Sequence, residues 1–222
     1  MNSKHFLIFA LVVVLATIGL TVGSQNIRRW GPHSWSVQLK NERPTAAKRT
    51  AGVSINSPVP DFALYDTTGD RHALKDARGK IVVLLVQGDR CPCSESYVPR
   101  INAIHRDYSA KGVEIWAFNP NQNETETETR AFARRQNCDY LVAYDRGFVA
   151  ANVLHAACTT EAWIVDREGI LRYHGRVDDN IFKPEKVKVS DLRNALDDIL
   201  ANRPVAVAET RAYACSVRRL GT

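Results

Sequence analysis

Apolar residues are grouped along this chain in a way that alternates between two kinds of element. Ile81-Val82-Val83-Leu84-Leu85-Val86 and Val113-Glu114-Ile115-Trp116-Ala117-Phe118 are almost continuously apolar and short, the pattern of strands buried on both faces of a parallel sheet. Between them, Tyr97, Val98, Ile101, Ile104 and Tyr108 recur at helical spacing, and Lys111-Gly112 ends that helix. A polar loop over Asn119–Asn123 leads to an amphipathic helix over 124–136, with Ala131 and Phe132 expected on its inner side. A short strand at Tyr140–Tyr144 and a helical segment at Phe148–His155 follow. Ala162–Val165 and Ile170–His174 flank the turn Asp166-Arg167-Glu168-Gly169 as a hairpin. A last helix over 189–201 turns Leu192, Ala195, Leu196, Ile199 and Leu200 inward. Upstream, Thr67-Thr68-Gly69-Asp70 is the turn of an entry hairpin. The predicted order, β-α-β-α-β-β-α behind that hairpin, is α/β: a central mixed sheet flanked by helices, with parallel crossovers followed by an antiparallel pair.

The N-terminal region has a different pattern. Phe6–Val22 is an uncharged apolar run of 17 residues preceded by Lys4, and Thr21-Val22-Gly23 offers small residues for cleavage. Residues 1–23 are therefore read as a signal peptide or membrane anchor, and residues 6–22 as the means of any membrane attachment. Residues 24–57 lose periodicity and are rich in Pro, Ser, Asn, Lys and Arg, as in a linker. The folded domain is expected over 58–203, and 204–222 is a basic, irregular tail lying on its surface. The remainder is then extracytoplasmic, periplasmic or secreted, where disulfides persist. A net charge of +6 over 222 residues is modest and scattered, with no aromatic-and-basic stripe, so a nucleic-acid partner is not expected.

The five cysteines are Cys91, Cys93, Cys138, Cys158 and Cys215. They lack the repeated C-x-x-C spacing of a structural zinc site. Cys91 and Cys93 fall where the strand 81–86 ends and the next helix begins. Free N–H groups and the positive end of the helix dipole favour a thiolate there, and the thiolate is the reactive form of cysteine. Cys91 is the candidate nucleophile, against the alternative of an inert buried thiol. Cys93 is a candidate resolving thiol, since a C-x-C disulfide closes a small, easily reduced ring; the alternative is that it only packs. Cys215 is a candidate to attack an oxidised Cys91 or, alternatively, to pin the tail by a bridge to Cys138 or Cys158. Cys138 is read as structural.

The segments GDRCPCSESYVPRINAIHRDYSAKGVEIWAFNPN, TTEAWIVDREGILRYHGRVDDN and ETRAYACSVRR resemble the thioredoxin fold, and within it the redoxin branch related to the alkyl hydroperoxide reductase and thiol-specific antioxidant family. The likeness runs from about Ser57 to Arg219. It implies a thioredoxin-like fold and a thiol-based oxidoreductase acting on a peroxide or a protein disulfide. An unspecified thiol reductant would supply electrons, and no organic cofactor would be needed. Aligned on Pro99, Cys91 takes the place of the first cysteine of C-x-x-C and Ser94 that of the second. The peroxiredoxin pattern P-x-x-x-T-x-x-C is absent. Thr159-Thr160 stands where such proteins usually carry Thr-Pro facing the active cysteine; with Thr160 a trans bond is expected, and the alignment places Cys158 near the thiols. Arg176 is considered as a neighbour for the thiolate, with a turn role as the simpler reading. Two rival functions stay open: a copper-binding metallochaperone using Cys91, Cys93, Cys158 and His155, and a non-catalytic binding module on the same fold.

Overall fold

The computed structural model of the protein describes residues 52–219; the apolar run 6–22, most of the segment 24–57 and residues 220–222 lie outside the described part. Among the described residues no helix is long and apolar enough to cross a membrane. Seven strands form one sheet: β1 (Ala63–Asp66), β2 (Arg71–Ala73), β3 (Ile81–Val86), β4 (Val113–Asn119), β5 (Leu141–Tyr144), β6 (Ala162–Val165) and β7 (Leu171–Gly175). Their spatial order is β2-β1-β5-β4-β3-β6-β7. The central trio β3, β4 and β5 is parallel, as the apolar runs implied. Antiparallel hairpins close both edges, β1–β2 beside β5 and β6–β7 beside β3.

Alternation along the central strands splits the core in two. Ile81, Val83, Leu85, Ile115, Ala117 and Ile164 face helices α1 (Pro92–Tyr108) and α4 (Asp191–Leu200), packing on Tyr97, Ile101, Ile104, Leu192 and Leu196. Val82, Leu84, Val86, Trp116, Phe118 and Trp163 face the other side, with α3 (Val149–Leu154) and the entry segment around Phe62 and Leu64. Both faces of β3 are therefore dry: all six of its residues are buried. Complete burial of such strands is what fixes their ends in space, because each aliphatic side chain withdrawn from water contributes about 1.5–3 kcal/mol. The Cys91 junction rests on the C-terminal end of that strand.

α2 (Glu126–Arg135) starts at a capping box: the Thr125 hydroxyl accepts from Glu128 N, and the Glu128 carboxylate accepts from Thr125 N. The inward residues of α2 differ from expectation. Thr129 and Phe132 are buried and Ala133 is half-buried, while Ala131 is exposed. The helix buries positions three and four apart, and Ala131 lies about 100° around the axis from Phe132.

The C-terminal tail is a surface segment with ordered partners. His174 N donates to Ala208 O and Thr210 N donates to His174 O, laying residues 208–210 along β7. Gly175 permits this approach, since a Cβ there would stand 2.0 Å from Thr210 Oγ1. Further on, Thr159 N donates to Cys215 O at 2.8 Å and Val217 N donates to Ala157 O at 3.0 Å, an antiparallel bridge against 157–159. Arg218 N then donates to Asn121 Oδ1.

Candidate active site

The junction between β3 and α1 is held by groups that come from four separate parts of the chain. Gln87 N donates to Phe118 O, which continues the β3–β4 ladder one step past the strand. Gly88 N donates to the Ser94 hydroxyl at 3.0 Å, and Cys91 N donates to Gly88 O at 3.3 Å. A side chain at position 88 would have no room: a Cβ would meet Asn121 Nδ2 at 2.9 Å, Thr159 Cγ2 at 3.0 Å and Cys91 Cβ at 3.3 Å. The Glu124 carboxylate accepts from the backbone N–H groups of Asp89 (2.7 Å) and Arg90 (3.3 Å). It also accepts from Asn119 Nδ2. The loop before the thiols is thus clamped from α2's side of the molecule.

Cys91 is the N-cap of α1, with Pro92 at the first helical position, where the missing N–H costs nothing. Only 5% of Cys91 is exposed. Its Sγ lies 3.0 Å from Thr159 Oγ1. Burial pushes the Cys91 thiol up, but hydrogen bonds from the Cys215 thiol, the Thr159 hydroxyl and the backbone amides of Ser94 and Cys93 outweigh it. The net result is a thiol more acidic than an ordinary cysteine. Two of these donors, the Cys93 and Ser94 amides, are free N–H groups of the first turn of α1.

Cys93 behaves oppositely. Burial, together with the charge of Cys91 and of Cys215 beside it, pushes its thiol up to about 12. Cys215 is exposed and its thiol is also raised, by burial of its sulfur and because it donates toward Cys91. The sulfur atoms of Cys91, Cys93 and Cys215 all lie within 4.8 Å of one another. The fold therefore brings the three candidate residues together at one point. An all-sulfur set of this kind has the donor chemistry of a soft cation such as Cu(I). The set expected for copper is a different one: among the described residues, neither Cys158 nor His155 belongs to the sulfur group. Cys158 is buried one residue before Thr159 and shares the bridge with Ser216. His155 ends α3 in a left-handed conformation. Cys138 is half-buried against the core, and burial raises its thiol.

Arg176 does not approach the thiols; its Nε donates to Asp191 Oδ2 at 2.7 Å at the start of α4. The Thr159–Thr160 bond is trans, as is every described peptide bond, and Thr160 instead takes a left-handed φ of 61°. That turn lets Thr160 N donate to Val86 O at 2.7 Å while Thr159 presents its hydroxyl to Cys91.

One buried polar group beside the site has no signature in the sequence. Asp89 Oδ2 accepts from Asn119 Nδ2 (2.8 Å) and from the Thr129 hydroxyl (2.6 Å), while Asp89 Oδ1 is buried without a partner. Burial raises its carboxyl to about 6; the nearby Glu124 charge adds to this, and the bonds from Thr129 and Asn119 oppose it. Its partners lie 30 and 40 residues downstream, which no local pattern connects.

A buried parallel trio of strands, an acidic thiol at the strand-to-helix turn and a threonine facing it define a thioredoxin-like redoxin. Residues 55–174, more than half of the chain, match the AhpC/TSA family, and the protein belongs to it. It is 29% identical over 117 residues to the thiol-disulfide oxidoreductase ResA of Bacillus cereus, an alignment covering 53% of this chain and 66% of that protein. In structure it is similar to a hypothetical protein of Sinorhizobium meliloti 1021, with a TM-score of 0.70 and 23% identity over 78% of this chain and 98% of the other. It is also similar to the thioredoxin domain of a thiol-disulfide oxidoreductase of Bacteroides vulgatus, with a TM-score of 0.55 and 16% identity over 67% of this chain and 99% of that one. At these identities the two structures establish the fold.

Proposed function

We propose that this protein is a thiol–disulfide oxidoreductase in which Cys91 is the nucleophile and Cys215 the resolving thiol. The observation that carries the reading is the Cys91 sulfur itself: 3.0 Å from the Thr159 hydroxyl, at a helix N-terminus, and within 4.8 Å of the thiol that would resolve it. The Cys91 thiolate attacks one sulfur of a protein disulfide, forming a mixed disulfide and expelling the second sulfur as a thiolate. Cys215, having lost its proton, attacks the Cys91 sulfur, releases the substrate as a thiol and leaves a Cys91–Cys215 disulfide. The substrate gains two electrons and the protein dithiol loses them; a dithiol reductant restores the protein. Cys93, buried in the rigid first turn of α1, is assigned no part in the exchange. The similarity to ResA, a thiol-disulfide oxidoreductase, supports a disulfide rather than a peroxide as substrate. The absent P-x-x-x-T-x-x-C pattern supports the same choice.

The reading extends to location. A leader over residues 1–23 places the domain outside the cytoplasm, tethered through 6–22 if it is not cut. The test of function is mass spectrometry of the protein after limiting oxidation by a small aromatic disulfide. A Cys91–Cys215 linkage is expected; a Cys91–Cys93 linkage would move resolution to the neighbouring thiol, and an unmodified Cys91 would remove the function.

A further inference from the structure

The tail does more than carry a sulfur to Cys91: it pairs main chain to main chain at an isolated antiparallel bridge. Segment 157–159 leads into β6, and its outward backbone groups are taken by residues 215–217. Thr159 N donates to Cys215 O, Val217 N donates to Ala157 O, and Cys158 faces Ser216 across an antiparallel bridge. That register sets the Cys215 sulfur among the other two sulfurs. Residues 215–217 themselves hold on by two main-chain bonds, and beyond them the Arg219 guanidinium donates to Asn152 Oδ1 at 3.0 Å and to Ala151 O at 3.4 Å. Cys215, Ser216 and Arg218 are exposed, Val217 is half-buried, and Asn121 supplies the next anchor through Arg218 N and, by its neighbour Gln122 N, through Arg218 O.

Resting on the exchange reading above, we propose that residues 215–217 are the resident occupant of a strand-docking groove, and that the partner it admits is an extended polypeptide segment whose cysteine takes the place of Cys215. Such a segment meets the same two backbone groups, Thr159 N–H and Ala157 C=O. Recognition is therefore by main-chain ladder and carries little side-chain selectivity. The geometry also gives an order to the cycle. The tail leaves, the substrate strand docks and its sulfur bonds to Cys91. The returning tail then competes for the same two hydrogen bonds as it brings Cys215 onto the mixed disulfide. Displacement and resolution become one event, because two strands cannot share the groove.

The test uses the full chain carrying Cys215→Ser and a synthetic heptapeptide of sequence Ala-Tyr-Ala-Cys-Ser-Val-Arg, that of residues 212–218, with its cysteine capped by thionitrobenzoate. Attack by Cys91 joins the peptide and releases coloured thionitrobenzoate. The unmodified peptide is expected to react about tenfold faster than one N-methylated at its valine, the loss of a single hydrogen bond. Val217→Pro in the same background, which frees the groove, should speed capture further. In the captured species the Val217 and Arg218 amides lose protection from hydrogen exchange, while the Thr159 amide keeps it. Equal rates for the two peptides, or a Val217 amide still protected with the peptide attached, would overturn the proposal. A peptide that stays inert while the small aromatic disulfide still modifies Cys91 would overturn the docking mode and leave the exchange chemistry standing. If that small disulfide fails too, the exchange chemistry falls with it.

Discussion

The strand-to-helix junction and the C-terminal tail deliver sulfur atoms to the same place by opposite means. Cys91 sits at the end of a strand with no exposed residue, behind a glycine that admits no Cβ, on a loop clamped by Glu124. Cys215 hangs on an exposed segment fixed by a few backbone bonds. The hydrogen bonds at the junction lower one thiol, while burial and a neighbouring thiolate raise the other two. A nucleophile must be placed and ionised before its substrate arrives, and a rigid core does that. A resolving thiol must be able to leave and return, losing its proton when it attacks, and a lightly held segment allows that movement. Cys93 has the rigidity without the acidity, so proximity alone does not make a thiol reactive.

Substitutions on the two sides should separate these roles. The largest effect is expected from Cys91→Ser, which should lower disulfide reduction at least about a thousandfold; Cys93→Ser should stay within about threefold of the parent in the same assay. Cys215→Ser should keep the first step and stall the second. Mixed disulfide then accumulates as a stable adduct on Cys91, visible by non-reducing electrophoresis, and turnover falls roughly a hundredfold. A Cys215→Ser protein that turns over normally would transfer resolution elsewhere.

The buried carboxyl behind the junction gives a pH signature. Its folded pKa of about 6 lies above the ordinary 3.8, so the native state holds the proton more tightly than the unfolded chain. The contribution is fully present below the unfolded value and is lost as pH rises through the folded one. Urea titrations should therefore show stability declining between about pH 4 and pH 7, by up to about 3 kcal/mol for a shift of this size. Asp89→Asn should flatten that decline and make the protein more stable than the parent at neutral pH by roughly 1–3 kcal/mol. A modest loss belongs to Thr159→Val, which removes one hydrogen bond to the Cys91 sulfur. Its exchange rate at neutral pH should fall about fivefold, with the Cys91 titration moved upward.

Much of this architecture is legible in the sequence because it is written locally. The apolar runs 81–86 and 113–118 are strands with those limits or within one residue of them, and the helical spacing after Cys91 marks α1. Cys91 can be chosen from its place between them. The resemblance to redoxins puts Thr160 in the place that faces the active cysteine, whereas it is the Thr159 hydroxyl that meets the Cys91 sulfur. Ala131 departs from its expected side because helix phase over a short, mostly polar stretch is fixed by only two or three residues. The Asp89 network is built from Asn119, Glu124 and Thr129, joined only after β4 folds beside β3. The position of the tail depends on main-chain bonds, which any non-proline sequence can make. Nothing in Ala214-Cys215-Ser216-Val217 announces that it will pair with Ala157–Thr159. Cys215 can be suspected from its chemistry and not from its placement.

The proposed chemistry depends on selective ionisation of one sulfur of three. Residue-resolved alkylation of the fully reduced protein across a pH series tests it directly. Cys91 is expected to be modified first, with a midpoint below the ordinary thiol value of 9.0, while Cys93 stays unmodified until far higher pH. Modification of Cys93 or Cys215 ahead of an inert Cys91 at neutral pH would contradict the account.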